Sequence, residues 1–127
     1  MIRIICVGNR FAYPDDFGMV IYDKLSKLNL KGIEVVEGGV GGMSLLPYFM
    51  DDKKILIVDF GSKELKKILT QEDIKKLDIE HYSHSNSFLY MLKMINKEYK
   101  IFLCRENYQK EYIENYIEEI LSLTKDL

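Results

Sequence analysis

Three side chains that could bind one metal ion lie at widely separated points of the chain, each next to a predicted helix or strand. Asp15 and Asp59 supply carboxylates, and His84 supplies an imidazole. Two carboxylates and an imidazole are a usual ligand set for a divalent transition metal. Three protein ligands also leave coordination positions open for water or substrate. The residue types therefore indicate a catalytic metal site built from these three residues.

Each of the three residues also has a simpler structural interpretation. Asp15 precedes a predicted helix, where an aspartate commonly caps the first turn. Asp59 follows a predicted strand and could be a turn residue. His84 could be a surface or capping residue. Residue type and spacing alone leave these alternatives open.

A glycine cluster gives a second candidate site, at residues 38–42. Backbone amides at a glycine-rich turn before a helix can bind phosphate. The cluster does not match G-x-G-x-x-G, and no lysine follows it as in a P-loop. A tight turn with close backbone packing is the alternative interpretation.

The apolar patterns predict the elements that must position these residues. Strands are expected at residues 2–7, 33–36, 54–59 and 99–104, with an edge strand or helix at 67–70. Helices are expected at residues 17–28, 43–49, 71–77, from 88 onward and 109–127, with Pro47 limiting the second. Strands that alternate with helices predict a single three-layer α/β/α domain around a mostly parallel twisted sheet, over residues 1–127. Sites in such folds form at the carboxyl ends of the strands, where Asp15, Asp59 and His84 are expected.

Composition narrows the class of protein. The chain has 127 residues, 47% of them hydrophobic and 30% charged, with a net charge of −2. This balance gives no reason to expect nucleic-acid binding. The apolar runs are too short for a membrane span, and the chain opens directly on a strand pattern rather than a signal peptide. Cys6 and Cys104 lie in predicted buried strands and are interpreted as reduced core residues of a cytoplasmic protein.

Four ordered motifs resemble those of the hydrogenase maturation protease family. Residues 8–18 resemble the family pattern G-N-x-L-x-x-D-D-G-x-G, and residues 37–46 resemble D-G-G-T-x-G-x-x-L-L. Residues 55–59 match an apolar strand that ends in aspartate, and Ser83-His84 stands where the family has an S-x-H or S-P-H motif. The resemblance extends over residues 1 to about 95 and implies a twisted sheet between helices, the phosphorylase/hydrolase-like architecture.

The resemblance implies an endopeptidase that removes the C-terminal extension of a nickel–iron hydrogenase large-subunit precursor. The precursor would present nickel, or another divalent metal, to Asp15, Asp59 and His84, which would be both catalytic and metal-contacting. The resemblance also assigns substrate contact to four residues: Asn9, Gly38, Gly39 and Gly41. The expected partner is the precursor, and the protein is expected to be a monomer without nucleic-acid or membrane partners.

Departures from the family patterns leave a second hypothesis open. Pro14 replaces the first acidic residue of the pair, Val40 replaces threonine, and residues 105–107 lack the family's G-x-x-P-like segment. These changes affect substrate loops more than the proposed ligands. The alternative is a non-catalytic module of the same fold that binds a metal or a hydrogenase subunit. A small nucleotide-binding domain that uses the glycine turn is the third hypothesis.

Two neighbouring residues could also take part. Asp16 could be a further base, or a solvated charge at the start of a helix. His81 could supply a second imidazole, or lie on the surface.

Overall fold

The computed structural model describes residues 1–77 and 86–127, in which five strands form one sheet. The strands are β1 (Ile2–Cys6), β2 (Ile33–Glu37), β3 (Lys54–Phe60), β4 (Ile68–Thr70) and β5 (Tyr99–Cys104). Their order is β2-β1-β3-β5-β4, in which β4 runs antiparallel to β5 and every other neighbouring pair is parallel. The predicted α/β class and mostly parallel sheet are confirmed.

Four α-helices lie in the described residues: α1 (Phe17–Leu25), α2 (Gln71–Lys76), α3 (Asn86–Met94) and α4 (Ile113–Thr124). The described residues also contain two 3-10 helices, Met43–Phe49 and Lys110–Tyr112. The expected helix at 43–49 is a 3-10 helix with Pro47 inside it, consistent with the predicted limit on a regular α-helix. None of these helices is long and apolar enough to cross a lipid bilayer.

The sheet is buried on both faces because alternate residues of each strand point to opposite sides. Ile4 and Cys6 of β1 pack in a cluster with residues of α1 and α4. Ile5 and Val7 pack in a second cluster with residues of α2, α3 and the 3-10 helix. The helices therefore form a layer on each face, as predicted.

Several helix ends differ from the prediction by one to four residues, and the largest differences are at the end of α1 and at both ends of α4, which stops at Thr124 instead of residue 127. Helix α1 ends at Leu25 instead of residue 28, and residues 26–28 continue as turns. Helix α4 begins at Ile113 rather than residue 109, because residues 110–112 adopt the tighter 3-10 geometry.

The ambiguous segment at residues 67–70 forms a strand, and the alternative interpretation as a helix is wrong. Residues 68–70 form the edge strand β4, and α2 starts immediately after it. Thr70 and Asp73 form a capping box: the Thr70 hydroxyl accepts from the Asp73 amide, and the Asp73 carboxylate accepts from the Thr70 amide. This reciprocal cap satisfies two otherwise unpaired donors and stops the strand.

Arg3 fixes the opposite, amino-terminal edge of the sheet. Arg3 is 5% exposed, and its guanidinium donates to the carboxylates of Glu34 and Asp51, at shortest distances of 2.8 and 2.9 Å. It also donates to the Tyr48 carbonyl and lies 5.3 Å from the centre of the Tyr48 ring. A buried charge of this kind is tolerated because it is paired and hydrogen-bonded.

Candidate functional site at the carboxyl edge of the sheet

Three loops meet where β1, β2 and β3 end. The Val7 amide, just beyond β1, donates to the Val58 carbonyl at 2.9 Å, and the Gly38 amide donates to the Cys6 carbonyl at 2.7 Å. The Gly8 amide in turn donates to the Gly39 carbonyl at 2.7 Å. The start of the loop that carries Asp15 therefore lies between the glycine turn and the end of β3.

Asp59 is a buried carboxylate near the end of β3. It has no exposed surface, and its Oδ1 accepts a hydrogen bond from the Phe60 amide at 2.7 Å. Burying a carboxylate is costly, so an aspartate among the buried residues of β3 is an unusual placement. Asp59 is paired within the sheet opposite Leu103 of β5 and is not an exposed turn residue.

Asp15 lies in a tight loop between β1 and α1, and its residue is half-buried. The Asp15 carbonyl accepts from the Asn9 amide at 3.1 Å. A Cβ atom on Gly8 would lie 2.5 Å from that carbonyl oxygen, so only glycine permits this approach. The Gly8-Asn9 motif therefore fixes the backbone at Asp15.

Asn9 shapes the same loop through its own polar atoms. Its side-chain oxygen accepts from the Phe11 amide at 3.0 Å, and its carbonyl accepts from the Ala12 amide at 3.1 Å. This is the Asx-turn geometry that asparagine favours. Substrate contact by Asn9 stays a prediction.

The glycine turn uses backbone conformations that other residues rarely adopt. Gly39, Gly41 and Gly42 have φ values of +55°, +82° and +108°. The amides of Gly38 and Gly41 already donate to the carbonyls of Cys6 and Gly38. These two amides are engaged within the fold, which disfavours the phosphate-binding interpretation. Substrate contact by Gly38, Gly39 and Gly41 is untested.

His84 and His81 lie outside the described residues. The turn nevertheless contacts the helix that follows them: a Cβ on Gly41 would lie 2.9 Å from the Phe88 ring, and one on Gly42 would lie 3.4 Å from the Ser87 hydroxyl. Helix α3 thus begins beside the glycine turn. Among the described residues, no group of three or more His, Cys, Asp and Glu side chains is arranged to hold a metal.

Asp16 lies at the start of α1, as one of its two interpretations expects, and its role as a further base stays a prediction. It occupies the N-cap position of α1, but its side chain makes no capping hydrogen bond. Its Oδ1 instead accepts from the Tyr108 hydroxyl at 2.7 Å. The Asp16 side chain therefore does not cap α1, and its carboxylate is hydrogen-bonded to Tyr108 rather than fully solvated. Sequence analysis did not identify Tyr108, because its partner lies 92 positions away and no local pattern signals the contact.

Arg10 joins the loop to two neighbouring elements. Its guanidinium donates to Asp23 of α1 at 2.8 Å and to Glu37 at the end of β2 at 3.2 Å. The hydrogen bond from Arg10 lowers the pKa of Asp23. All three side chains are exposed, so the pairs contribute little stability but help to set the loop direction.

The two cysteines are free and buried, as predicted. Burial is the main cause that raises the pKa of the Cys6 thiol, followed by the negative charges of Asp23 and Asp59. Burial likewise raises the pKa of the Cys104 thiol. Both groups therefore remain protonated at neutral pH and are poor nucleophiles.

The fold and this edge define a class of protein: an α/β sandwich with acidic residues at the carboxyl ends of its parallel strands. The model of the hydrogenase maturation protease family matches residues 19–121, and the chain belongs to that family. The matched range contains Asp59 and His84, whereas Asp15 lies four residues before it.

Similar proteins carry the same family name. A Methanocaldococcus jannaschii protein named as a hydrogenase maturation protease is 34% identical over 82 residues, which are 62% of this chain and 51% of that protein. The chain thus spans about half the length of this curated relative.

Solved structures show the same fold. The hydrogenase maturating endopeptidase HybD from Escherichia coli aligns with a TM-score of 0.76 and 18% identity, covering 98% of this chain and 92% of that one. The [NiFe] hydrogenase maturation protease HycI from Thermococcus kodakarensis aligns with a TM-score of 0.67 and 15% identity, covering 98% and 90%. The expectation of an enzyme of the peptidase class agrees with the family to which the chain belongs.

Proposed function

We propose that this protein is an endopeptidase that removes the C-terminal extension from the nickel-loaded large-subunit precursor of a [NiFe] hydrogenase. Membership of the hydrogenase maturation protease family supports this activity. The observation that carries the site assignment is the fully buried Asp59 carboxylate, at the edge where the Asp15 loop and the glycine turn are hydrogen-bonded together. His84 is the third proposed ligand.

The nickel, or another divalent metal in its place, belongs to the substrate in this proposal. Asp15, Asp59 and His84 contact it on the precursor, so that only metal-loaded precursor is cleaved. Asn9, Gly38, Gly39 and Gly41 line the path of the extension. Because Asp59 has no exposed surface, the residues that cover it must move when the precursor binds.

Cleavage is hydrolysis of one peptide bond. The oxygen of a water molecule adds to the scissile carbonyl carbon, the C–N bond breaks, and the proton lost by water passes to the leaving amine. A carboxylate of the site carries that proton. A thiol nucleophile is disfavoured because Cys6 and Cys104 remain protonated.

We also propose that the 127 residues act as one domain and as a monomer, with the precursor as partner, in the cytoplasm. The two buried, free cysteines are compatible with a reducing compartment.

The test is incubation of the protein with nickel-loaded and nickel-free precursor, with shortening followed by mass spectrometry. We expect Asp15→Ala and Asp59→Asn to lower the trimming rate by about 100-fold or more, because each removes a carboxylate at the reacting centre. Asp59→Asn keeps the size and the oxygen that accepts from Phe60. Asp52→Asn, which removes an exposed carboxylate near the opposite edge of the sheet, should trim like the wild type.

Three results would contradict the proposal in different ways. Trimming by Asp15→Ala at the wild-type rate would show that the assignment of Asp15 is wrong. Equal trimming of nickel-free precursor would remove the metal from recognition. A wild-type protein that forms a complex without shortening the precursor would be a binding module instead of a peptidase.

A further inference from the structure

We propose that Tyr108 is a positioning residue that fixes Asp15 for its contact with the precursor's metal. The role in cleavage rests on the proposed function. The immobilisation of the turn that carries Asp15 depends only on the contacts of Tyr108 with Tyr13, Asp16 and Phe17.

The side chain of Tyr108 holds the residue after Asp15. Tyr108 is 5% exposed, and its hydroxyl donates to Oδ1 of Asp16 at 2.7 Å. Its ring packs edge-on against Phe17, with the ring centres 5.6 Å apart. A hydrogen bond from a buried hydroxyl to a carboxylate is strong, so the N-terminus of α1 has a defined position.

The backbone of the same residue holds the other side of the turn. The Tyr13 hydroxyl donates to the Tyr108 carbonyl at 2.6 Å, and the two rings are 5.0 Å apart. Tyr13 precedes Asp15 by two residues and Asp16 follows it. Tyr108 therefore contacts both flanks of the two-residue segment Pro14-Asp15.

A third contact fixes the segment from the direction of the sheet. The Asp15 carbonyl accepts from the Asn9 amide at 3.1 Å, and Gly8 leaves room only for the bare backbone. The backbone of Asp15 is thus held between β1 and the segment after β5. A carboxylate on so restrained a backbone loses little conformational freedom when it binds a ligand, which is the condition for efficient catalysis.

The experiment compares two variants that each remove one hydroxyl from the same aromatic cluster. Tyr108→Phe removes the donor to Asp16 while leaving the ring and the carbonyl that binds Tyr13. Tyr116→Phe is the matched control: its ring lies 5.0 Å from Phe17, and its hydroxyl is near the Cys104 sulfur at 3.7 Å rather than Asp16.

Two measurements are made on each full-length variant. The first is kcat and KM for nickel-loaded precursor. The second is exchange of the Asn9 and Phe17 amides by NMR, since these amides donate to the Asp15 and Pro14 carbonyls. We expect Tyr108→Phe to lower kcat by about 10- to 100-fold and to speed exchange at both amides, whereas Tyr116→Phe changes neither.

A third variant separates positioning from direct chemistry by Asp16. Asp16→Asn keeps an oxygen that can accept from Tyr108 but removes the charge. We expect it to keep trimming within about threefold of the wild type, because the hydrogen bond survives. Loss of kcat in Asp16→Asn without faster exchange of the Asn9 and Phe17 amides would show that Asp16 itself acts on the substrate and would overturn the proposal.

The outcomes distinguish this proposal from the proposed function. If the wild type trims and Tyr108→Phe trims as fast as Tyr116→Phe, Tyr108 has no positioning role. If the wild type does not trim, the proposed function fails. Amide exchange alone then decides whether Tyr108 immobilises the turn that carries Asp15. Faster exchange specific to Tyr108→Phe then supports immobilisation of the turn, and unchanged exchange refutes it.

Discussion

At the scale of single residues, glycines decide how closely the backbone segments of the site approach each other. A Cβ on Gly18 would lie 2.0 Å from the Val7 carbonyl oxygen, so the first turn of α1 packs directly on the end of β1. A Cβ on Gly38 would lie 2.8 Å from the Cys6 carbonyl oxygen. Gly18 and Gly38 of this chain are therefore required for close packing, apart from any need for an unusual backbone conformation.

Two glycines of the turn allow the effect of backbone conformation to be separated from the effect of close packing. Gly39 and Gly41 both have positive φ, but a Cβ on Gly39 would meet nothing within 4 Å, whereas one on Gly41 would meet the buried Phe88 ring at 2.9 Å. We expect Gly39→Ala to destabilise the fold by about 1 kcal/mol, the cost of the left-handed conformation alone. Gly41→Ala should cost about 1–3 kcal/mol more, because the Phe88 ring must also move.

Urea denaturation of both variants measures this difference in the free energy of unfolding. Equal destabilisation would mean that the Phe88 ring adjusts without cost and that the turn and α3 are only loosely packed.

Individual site residues were predictable only where they lie next to a strand or helix with a clear apolar pattern in the sequence. Asp59 ends an apolar strand and Asp15 precedes an amphipathic helix, so their common edge followed from the fold class. Tyr108 was not predictable, because its contact with Asp16 depends on how the segment after β5 returns to the first loop. The predicted metal contacts of Asp15, Asp59 and His84 remain predictions.

At the scale of elements, strand and helix types followed from apolar periodicity, since buried strands and one-sided helices differ in period. The ends of α1 and α4 were less well predicted, because turns and 3-10 geometry at a helix terminus depend on local hydrogen bonds. The edge strand β4 was ambiguous because three residues carry too little periodicity.

Arg3, Glu34 and Asp51 form a charged cluster, called the Arg3 cluster here, at the amino-terminal edge of the sheet. This cluster predicts that the stability of the fold depends on pH. The hydrogen bond from Arg3 is the main cause that lowers the pKa of Asp51, to about 2, and hydrogen bonds from Arg3 and Lys53 lower the pKa of Glu34. The folded protein therefore binds fewer protons than the unfolded chain at acid pH. The stabilisation is complete above the ordinary pKa of these groups, near 4, and is lost as pH falls toward 2.

We expect Asp51→Asn to reduce the fall in unfolding free energy between about pH 5 and pH 2, measured by urea titration at each pH. Asp52→Asn, which removes the adjacent exposed carboxylate outside the Arg3 cluster, should keep the wild-type dependence. A wild-type pH profile in Asp51→Asn would show that the pair with Arg3 does not persist in solution.

At the scale of the whole molecule, the two hydrophobic clusters share their strands. Alternate residues of β1, β3 and β5 point into opposite clusters, so neither face of the sheet can unfold while the other keeps its strands. Because the two clusters share these strands, we expect both faces of the sheet to unfold as one cooperative unit.

Calorimetry of two core variants tests this cooperativity. Leu25→Ala and Leu92→Ala each remove a fully buried side chain, one from each cluster, and should cost about 2–5 kcal/mol. We expect each variant, like the wild type, to unfold in one transition whose calorimetric and van't Hoff enthalpies agree. A transition that splits in either variant would show that the faces are energetically separate.

The pairing of Asp16 with Tyr108 also has a consequence for biosynthesis. The ribosome makes the first loop early, but the tyrosine that anchors it is added 92 residues later. At roughly 5–20 residues per second, the nascent loop waits for about 5–18 s before its anchor exists. A nascent chain that has not yet reached Tyr108 therefore carries the acidic turn without the hydrogen bond that restrains it.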